Sequence, residues 1–287
     1  MNEVSVIIPI GDAYNGKAMP DRWEALAFSI RTFYAKHKAL ELVIVLQDTM
    51  MPGKVVDVIN KFMCLGKRYA KIIPIEYKTF NKGWCCNVGA KAARFNTIAI
   101  AESDMWAPKP YLNEITECDW IIAWDNLCYT SEVHRKMILS GIAVSNDIAE
   151  RRGSMFVHPT IGASEGGMVL FNKKFFFSIG GCNEWFEELG GPDNEIARRA
   201  QFASKTYIMH NQTVYHLWHP KCRNLKNPIR LKNVKLYKST CRHLKEFNTF
   251  LSKQQFGNPE APLRAHKTFK EAWNESHQNA AVTPAGD

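Results

Sequence analysis

The chain has 287 residues, enough for one large domain or one domain with an appendage. With 46% hydrophobic and 23% charged residues it has a globular composition, which excludes a disordered, collagen-like or small disulfide-stapled protein. Its 37 Lys and Arg against 28 Asp and Glu leave a formal charge of +9, which points to an acidic partner: nucleic acid, an anionic membrane surface or a phosphorylated ligand.

Met1 to Val6 lacks the basic region and cleavage site of a signal peptide and runs directly into an apolar stretch. Residues 4–10 predict a buried strand, ended by Pro9 and Gly11. Residues 21–38 place Trp23, Leu26, Ala27, Ile30, Phe33 and Tyr34 at helical spacing, with Asp21 as N-cap. A second strand follows at 41–46, a helix at 54–65, a strand at 71–77, a helix at 86–95 and another buried strand at 97–101. Strands alternating with helices predict parallel βαβ units. Ligands of such sheets bind beyond the carboxyl ends of the strands. The polar residues there are Gly11–Asp12, Gln47–Asp48, Asn81 and Glu102–Asp104. No apolar run reaches the roughly 18 residues that span a bilayer. No internal repeat, glycine-rich dinucleotide fingerprint or P-loop is present.

The eight cysteines contain no C-x-x-C pair, although Cys85 and Cys86 are adjacent. They are read as buried free thiols, which implies a reducing, cytoplasmic setting (host cytoplasm for a viral protein).

Three constellations carry candidate chemistry. Glu102 and Asp104 leave a buried strand one residue apart, so both side chains point the same way and suit one hard cation. Solvated loop acids are the competing reading. The second is 165–199. Glycine pairs at Gly166–Gly167, Gly180–Gly181 and Gly190–Gly191 permit close backbone approach to a ligand. Asp193 and Glu195 open a helix, where the dipole keeps a carboxylate ionised and fit for general-base work, or merely caps the helix. The third is His216-Leu217-Trp218-His219-Pro220, near a strand end. A neutral imidazole there binds metal. On an extended segment the two rings diverge, so one ligand is expected, from His216 or His219.

The charge is local. Lys221, Arg223, Lys226, Arg230, Lys232, Lys235, Lys238, Arg242 and Lys245 lie in one stretch without an acid. Removing these nine from 37 leaves 28 basic residues against 28 acidic ones, a neutral remainder. Val234, Tyr237, Cys241, Leu244, Phe247 and Leu251 form an apolar helical face through the same stretch. It reads equally as a solvated helix face or as a surface for a polyanion. Beyond Gln255 the sequence reads as a loose tail.

In this order the motifs resemble glycosyltransferases of the GT-A fold, most closely family 2-type enzymes and the β-1,4-galactosyltransferase group. Phe80-Asn81-Lys82-Gly83-Trp84-Cys85-Cys86-Asn87-Val88-Gly89 resembles the group's F-N-x-x-x-x-x-N-V-G segment. Val43 to Gln47 resembles its V-I-x-Q strand end, and Glu102-Ser103-Asp104 occupies the D-x-D position. Gly166 to Arg199 follows its G-G…N-G-F…G-G-E-D-D-D…R block. His216 falls where such enzymes place a metal-binding histidine. The resemblance covers residues 4 to about 220.

It implies an α/β fold: a Rossmann-like nucleotide-sugar-binding sheet flanked by helices over 1–222. The residue pattern itself adds a basic helical C-terminal extension over 223–256 and a flexible tail over 257–287. The resemblance implies a UDP-sugar donor with Mn²⁺ or Mg²⁺ held by Asp104 and His216. Pro9, Arg22, Asp48, Asn81, Asn87, Glu102, Gly166, Gly167 and Trp185 would line the donor site. Asp193 would be the general base of an inverting transfer, with Glu195 beside it. Several positions depart from the group. Glu102 replaces the first Asp of D-x-D, Pro192 the Glu before the base, and Leu189 a Trp. Asn194 and Glu195 replace two acids. The 190–199 block also aligns with retaining GalNAc-transferases. The basic segment admits a DNA acceptor such as a hydroxymethylated base, or a cell-surface or lipid-linked glycan. A non-catalytic protein that binds nucleic acid or a sugar nucleotide is the alternative of another class.

Overall fold

A computed structural model describes residues 3–11, 19–77, 79–112, 118–142, 150–153, 156–158, 162–164, 166–188, 191–205, 207–208, 212–220, 228–263 and 268–281. Asp12, Glu165, Leu189, Gly190, Lys221, Cys222, Arg223, Lys226 and the last six residues lie outside them.

The apolar run at the N-terminus forms β1 (Val4–Gly11), buried along its whole length. The chain continues through α1 (Met19–Thr32), a 3-10 turn at Tyr34–Lys36, β2 (Leu40–Gln47), α2 (Gly53–Met63), β3 (Arg68–Ile75), α3 (Lys82–Ala92) and β4 (Thr97–Ala101). These are the βαβ units read from the sequence, with shifted boundaries. The helix at 21–38 starts earlier and ends at Thr32, so Asp21 lies in its first turn and pairs with Arg135 at 3.3 Å. The helix at 86–95 starts at Lys82, because the Asn81 side chain caps it by accepting from Trp84 N–H at 2.9 Å. The strand at 71–77 runs from 68 to 75.

Short strands β5 (Met105–Trp106), β6 (Trp120–Ile122) and β7 (Asn126–Tyr129) precede α4 (Glu132–Leu139). Then come β8 (Glu150–Gly153), β9 (Phe156–His158), β10 (Gly162–Ser164) and β11 (Met168–Asn172). Helices α5 (Lys173–Ser178) and α6 (Pro192–Ala203) are followed by β12 (Tyr207–Ile208) and β13 (Thr213–His216). The C-terminal part is helical: α7 (Pro228–Arg242), α8 (Leu244–Ser252) and α9 (Phe269–Ala281).

The main sheet has seven strands in the order β12-β6-β11-β4-β1-β2-β3. Strand β1 runs parallel to β2 and β4, and β2 parallel to β3. Strand β11 enters antiparallel between β4 and β6, an inversion that local patterning does not announce. A second sheet, β5-β13-β7-β8, stands beside it. Because β5 pairs with β13, Met105 lies opposite His216, which brings residues more than a hundred apart in sequence to one edge.

The extension is fastened to this body rather than trailing from it. The buried Glu184 carboxylate accepts from Gly257 N–H at 2.6 Å and Leu263 N–H at 2.8 Å. Trp84 Nε1 donates to the Asn258 carbonyl at 2.6 Å. The stretch read as a loose tail therefore contains an anchored segment and helix α9, whose Ala272 is buried with Trp185, Phe247, Phe250 and Leu251. The basic helix is two helices with a break at His243. Tyr237, Phe247 and Leu251 of its expected apolar face are buried, whereas Val234, Cys241 and Leu244 are half-buried. Among the described residues no disulfide is present, and Cys85, Cys86 and Cys128 are buried thiols. None of the described helices is long and apolar enough to cross a membrane.

Candidate active site

The ends of β4 and β13 and the start of α6 converge, each for a local reason. After β4 the chain turns, with Glu102 N–H donating to the Gly167 carbonyl at 3.2 Å. That bond ties the Glu102–Asp104 turn to the glycine pair. Leu217 N–H donates to the Asp104 carbonyl at 2.9 Å, which ties the same turn to the residue after β13. Gly191, with φ of +95°, is the N-cap of α6, and Pro192 pre-sets the first helical residue. Asp193 follows in the first turn, where the helix dipole favours its charge. Gly166 lies so close that an added Cβ would stand 3.4 Å from Asp193 Oδ2.

The resulting side chains form a continuous charged ribbon. Arg22 Nε is 3.9 Å from Asp104 Oδ2. Asp104 lies 3.2 Å from His219 Nε2 and 3.8 Å from His216 Nε2. His216 is 3.8 Å from Glu102, which Lys82 Nζ contacts at 2.8 Å. Lys82 also contacts Asp193 Oδ1 at 2.7 Å. The three constellations of the sequence thus come together, with Lys82 as the link between the Glu102 and Asp193 carboxylates. In the sequence Lys82 is marked only as one residue of a longer segment.

Both histidines face Asp104, contrary to the expected divergence. His216 is the last residue of β13, and the strand ends before His219, so strand alternation no longer separates the rings. Their centroids are 5.4 Å apart. Tyr129 stacks on His216 at 4.9 Å, and His219 Nδ1 donates to the Pro220 carbonyl at 3.0 Å, which leaves Nε2 facing inward.

The electrostatics follow from burial against opposite charge. Burial opposes ionisation of Asp104, yet the His216 charge, the His219 hydrogen bond and Arg22 hold its carboxyl well below the ordinary range. For Glu102, burial is outweighed by Lys82, and its carboxyl is also held low. Burial alone would lower the Lys82 ammonium, but Asp193 and Glu102 hold it well above its usual value. His219 is desolvated, yet its bond to Asp104 raises it.

A divalent ion fits this donor set. One ligand atom each from Asp104, His216 and His219 lie within 4.8 Å of one another. Asp104 Oδ1 is buried without a hydrogen-bond partner. Two imidazoles with one carboxylate suit Mn²⁺ better than Mg²⁺, which prefers an oxygen shell.

The other expected site residues have contacts of their own. Glu195 is fully buried and forms a fork with Arg199, Oε1 to Nε at 2.8 Å and Oε2 to Nη2 at 3.0 Å. Arg199 also donates to the carbonyls of Ile179 and Gly181, so the pair braces α6 and both Glu195 carboxylate oxygens are engaged by Arg199. The Glu-x-x-x-Arg spacing was the available signal. Asn87 accepts from Cys182 N–H at 2.8 Å and donates to the Cys182 carbonyl at 2.7 Å and to Glu184 at 2.9 Å. The Asn81 side chain, besides capping α3, donates to the Glu184 carbonyl at 2.7 Å. Both amides tie α3 to the Cys182–Glu184 stretch. Trp185 packs on Phe250 with centroids 5.8 Å apart, inside the C-terminal cluster. Pro9 is buried in β1 opposite Val45. Gly167, with φ of +99°, holds the turn beside Met105. Asp48 stands exposed after β2 with φ of +51° and accepts from Tyr77 N–H at 3.1 Å.

The parallel half-sheet, the antiparallel insertion and the turn after β4 define the GT-A glycosyltransferase fold. The structure of GalNAc-T7 with UDP, GalNAc and Mn²⁺ superposes with a TM-score of 0.50 at 12% identity, over 99% of this chain and 58% of that one. The chain thus spans less than two thirds of that protein. The mannosyltransferase PcManGT from Pyrobaculum calidifontis, with GDP-Man and Mn²⁺, gives 0.49 at 15% identity, over 98% and 80% of the two chains. S. aureus TarS 1–349 with UDP-GlcNAc gives 0.46 at 12% identity, over 86% and 70%. No protein-family model and no curated protein sequence matches the chain.

Proposed function

We propose that this chain is a metal-dependent glycosyltransferase that moves a sugar from a nucleotide-sugar, a UDP-sugar, to an acceptor hydroxyl. The observation that carries this reading is the ribbon from Arg22 through Asp104, His219, His216, Glu102 and Lys82 to Asp193. Ligands of the same classes, UDP, a sugar and Mn²⁺, occupy the GalNAc-T7 structure.

Asp104, His216 and His219 would hold Mn²⁺, or less readily Mg²⁺. A bound ion neutralises charge developing on a departing diphosphate. Arg22 Nε is a buried N–H without a hydrogen-bond partner, a donor placed for an anionic ligand at the same point. Asp48, exposed at the carboxyl end of β2, stands where nucleotide recognition occurs in such sheets. Asp193 is one-third exposed and acts as general base on the acceptor hydroxyl, giving inversion at the anomeric carbon. Lys82 fixes Asp193 on one side and Glu102 on the other.

We further read the acceptor as a polyanion, a hydroxymethylated base in DNA. Support comes from the C-terminal helices, where Lys232, Lys235, Lys238, Arg242 and Lys245 are all exposed. Mass spectrometry of hydroxymethylated DNA incubated with UDP-sugars and Mn²⁺ tests transfer directly. Asp193→Asn is expected to abolish transfer while Mn²⁺-dependent UDP binding persists. Absence of both UDP release and metal-dependent UDP binding in the wild type would reject the enzyme reading.

A further inference from the structure

Beyond the charged ribbon, α6 takes part in a second site. Its helix partner α7 runs alongside it, and between them lies a hollow of about 410 Å³ lined by Arg198, Tyr237, Lys238, Cys241, Arg242 and Leu244. Three of the six are cations and none is an acid. Arg198 is held from both sides, donating to Gln201 Oε1 at 3.1 Å and hydrogen-bonding with the Tyr237 hydroxyl. The nearby carboxylate of Glu195 is already matched by Arg199. The hollow therefore carries net positive charge, and guanidinium and ammonium donors suit a phosphate. Arg198 is not in the basic run of the sequence; the fold brings it there.

The same α7–α8 corner borders a second hollow of about 490 Å³. Phe247, Phe269 and Trp273 line it, with His243, Glu246 and Lys270 at its polar parts. Phe247 is 1% exposed, so this ring is recessed and does not project as a membrane-inserting residue would.

We infer that the hollow between α6 and α7 binds a backbone phosphate of a nucleic acid strand through Arg198, Lys238 and Arg242. This deepens the reading of the basic segment as the acceptor-facing surface and rests on it. Arg198 and Asp193 share α6, so the hollow adjoins the helix that carries the proposed base.

The test is anisotropy of a labelled single strand of about 20 nucleotides between about 50 and about 200 mM salt. Lys238→Gln/Arg242→Gln is the central variant, since both residues are exposed and their loss leaves the core intact. It is expected to weaken binding by about tenfold or more at low salt. The log–log salt slope is expected to fall by about 1.4, at about 0.7 for each single-strand phosphate that the protein ceases to neutralise. Lys61→Gln/Lys67→Gln, which removes two exposed charges far along the chain, should leave the slope unchanged. A wild-type salt slope in the Lys238/Arg242 variant overturns the assignment. So does binding to vesicles rich in phosphatidylserine with none to DNA. UDP binding in Mn²⁺ is measured on the same samples: its absence from the wild type rejects the transferase reading, whereas the DNA slopes judge this site alone.

Discussion

Protonation of His37 tests the packing that positions α1, the helix carrying Arg22. Its imidazole is buried just after the 3-10 turn that follows that helix. Nδ1 donates to the Phe33 carbonyl at 3.0 Å, and Nε2 accepts from the N–H groups of Tyr111 and Leu112 at 3.2 Å each. A second proton on Nε2 would face two donors. Burial, with a smaller contribution from Arg68, lowers the pKa from the ordinary 6.5 to about 4, against the raising effect of the Tyr34 and Phe33 carbonyls. Between those two values the unfolded chain holds more protons, so stability falls as the pH falls. The loss reaches about 2 kcal/mol by about pH 5 and about 3 kcal/mol by about pH 4. His37→Gln keeps an acceptor for the two N–H groups and removes the titration. Urea unfolding of both proteins across this window isolates the residue, because other titrating groups are common to both. The variant is expected to be less stable by about 1 kcal/mol near neutrality, having lost one hydrogen bond, and to match or exceed the wild type near pH 4. Parallel stability curves would refute the buried neutral imidazole.

Three further outcomes test the site and its support. Asp104→Asn removes a buried ligand atom and should weaken Mn²⁺-dependent UDP binding by more than about 100-fold in calorimetry, exceeding the usual effect of outer-shell changes. Lys82→Met leaves Glu102 and Asp193 without the cation they share, so the rate should fall by about 100-fold; an unchanged rate would count against the link. Arg199→Met strands a buried Glu195 carboxylate and should cost about 3–5 kcal/mol in denaturant unfolding. The Arg199→Met experiment also separates the two acids of α6, since Asp193→Asn should leave stability nearly unchanged while removing transfer.

Much of the half-sheet is legible in the amino-acid sequence. The runs at 4–10, 41–46 and 97–101 are short, apolar and bounded by breakers, so burial and extended structure follow from local composition. Helix starts are less legible, since the Lys82 start depends on the Asn81 side chain bonding Trp84 N–H. Asp104, Asp193 and His216 can be singled out by type and placement, whereas Asn81, Asn87 and Trp185 cannot be judged that way. A buried amide reads the same whether it faces a ligand or a neighbouring loop. The hydrogen bonds to Cys182 and Glu184 that hold Asn87 span more than ninety residues.

The sequence by itself determined the alternating sheet, the chemistry available at each turn and the placement of the whole excess charge in one segment. The tertiary structure decided which of those residues meet. Pairing of β5 with β13 brings His216 and His219 to Asp104, and the start of α3 delivers Lys82 between Glu102 and Asp193. Packing of α7 on α6 adds Arg198 to the basic surface and turns a run of lysines into a hollow. Local pattern fixes period and burial because these depend on neighbours in the chain. Contacts between charged groups depend on distance in space, which only the folded sheet and its crossovers set.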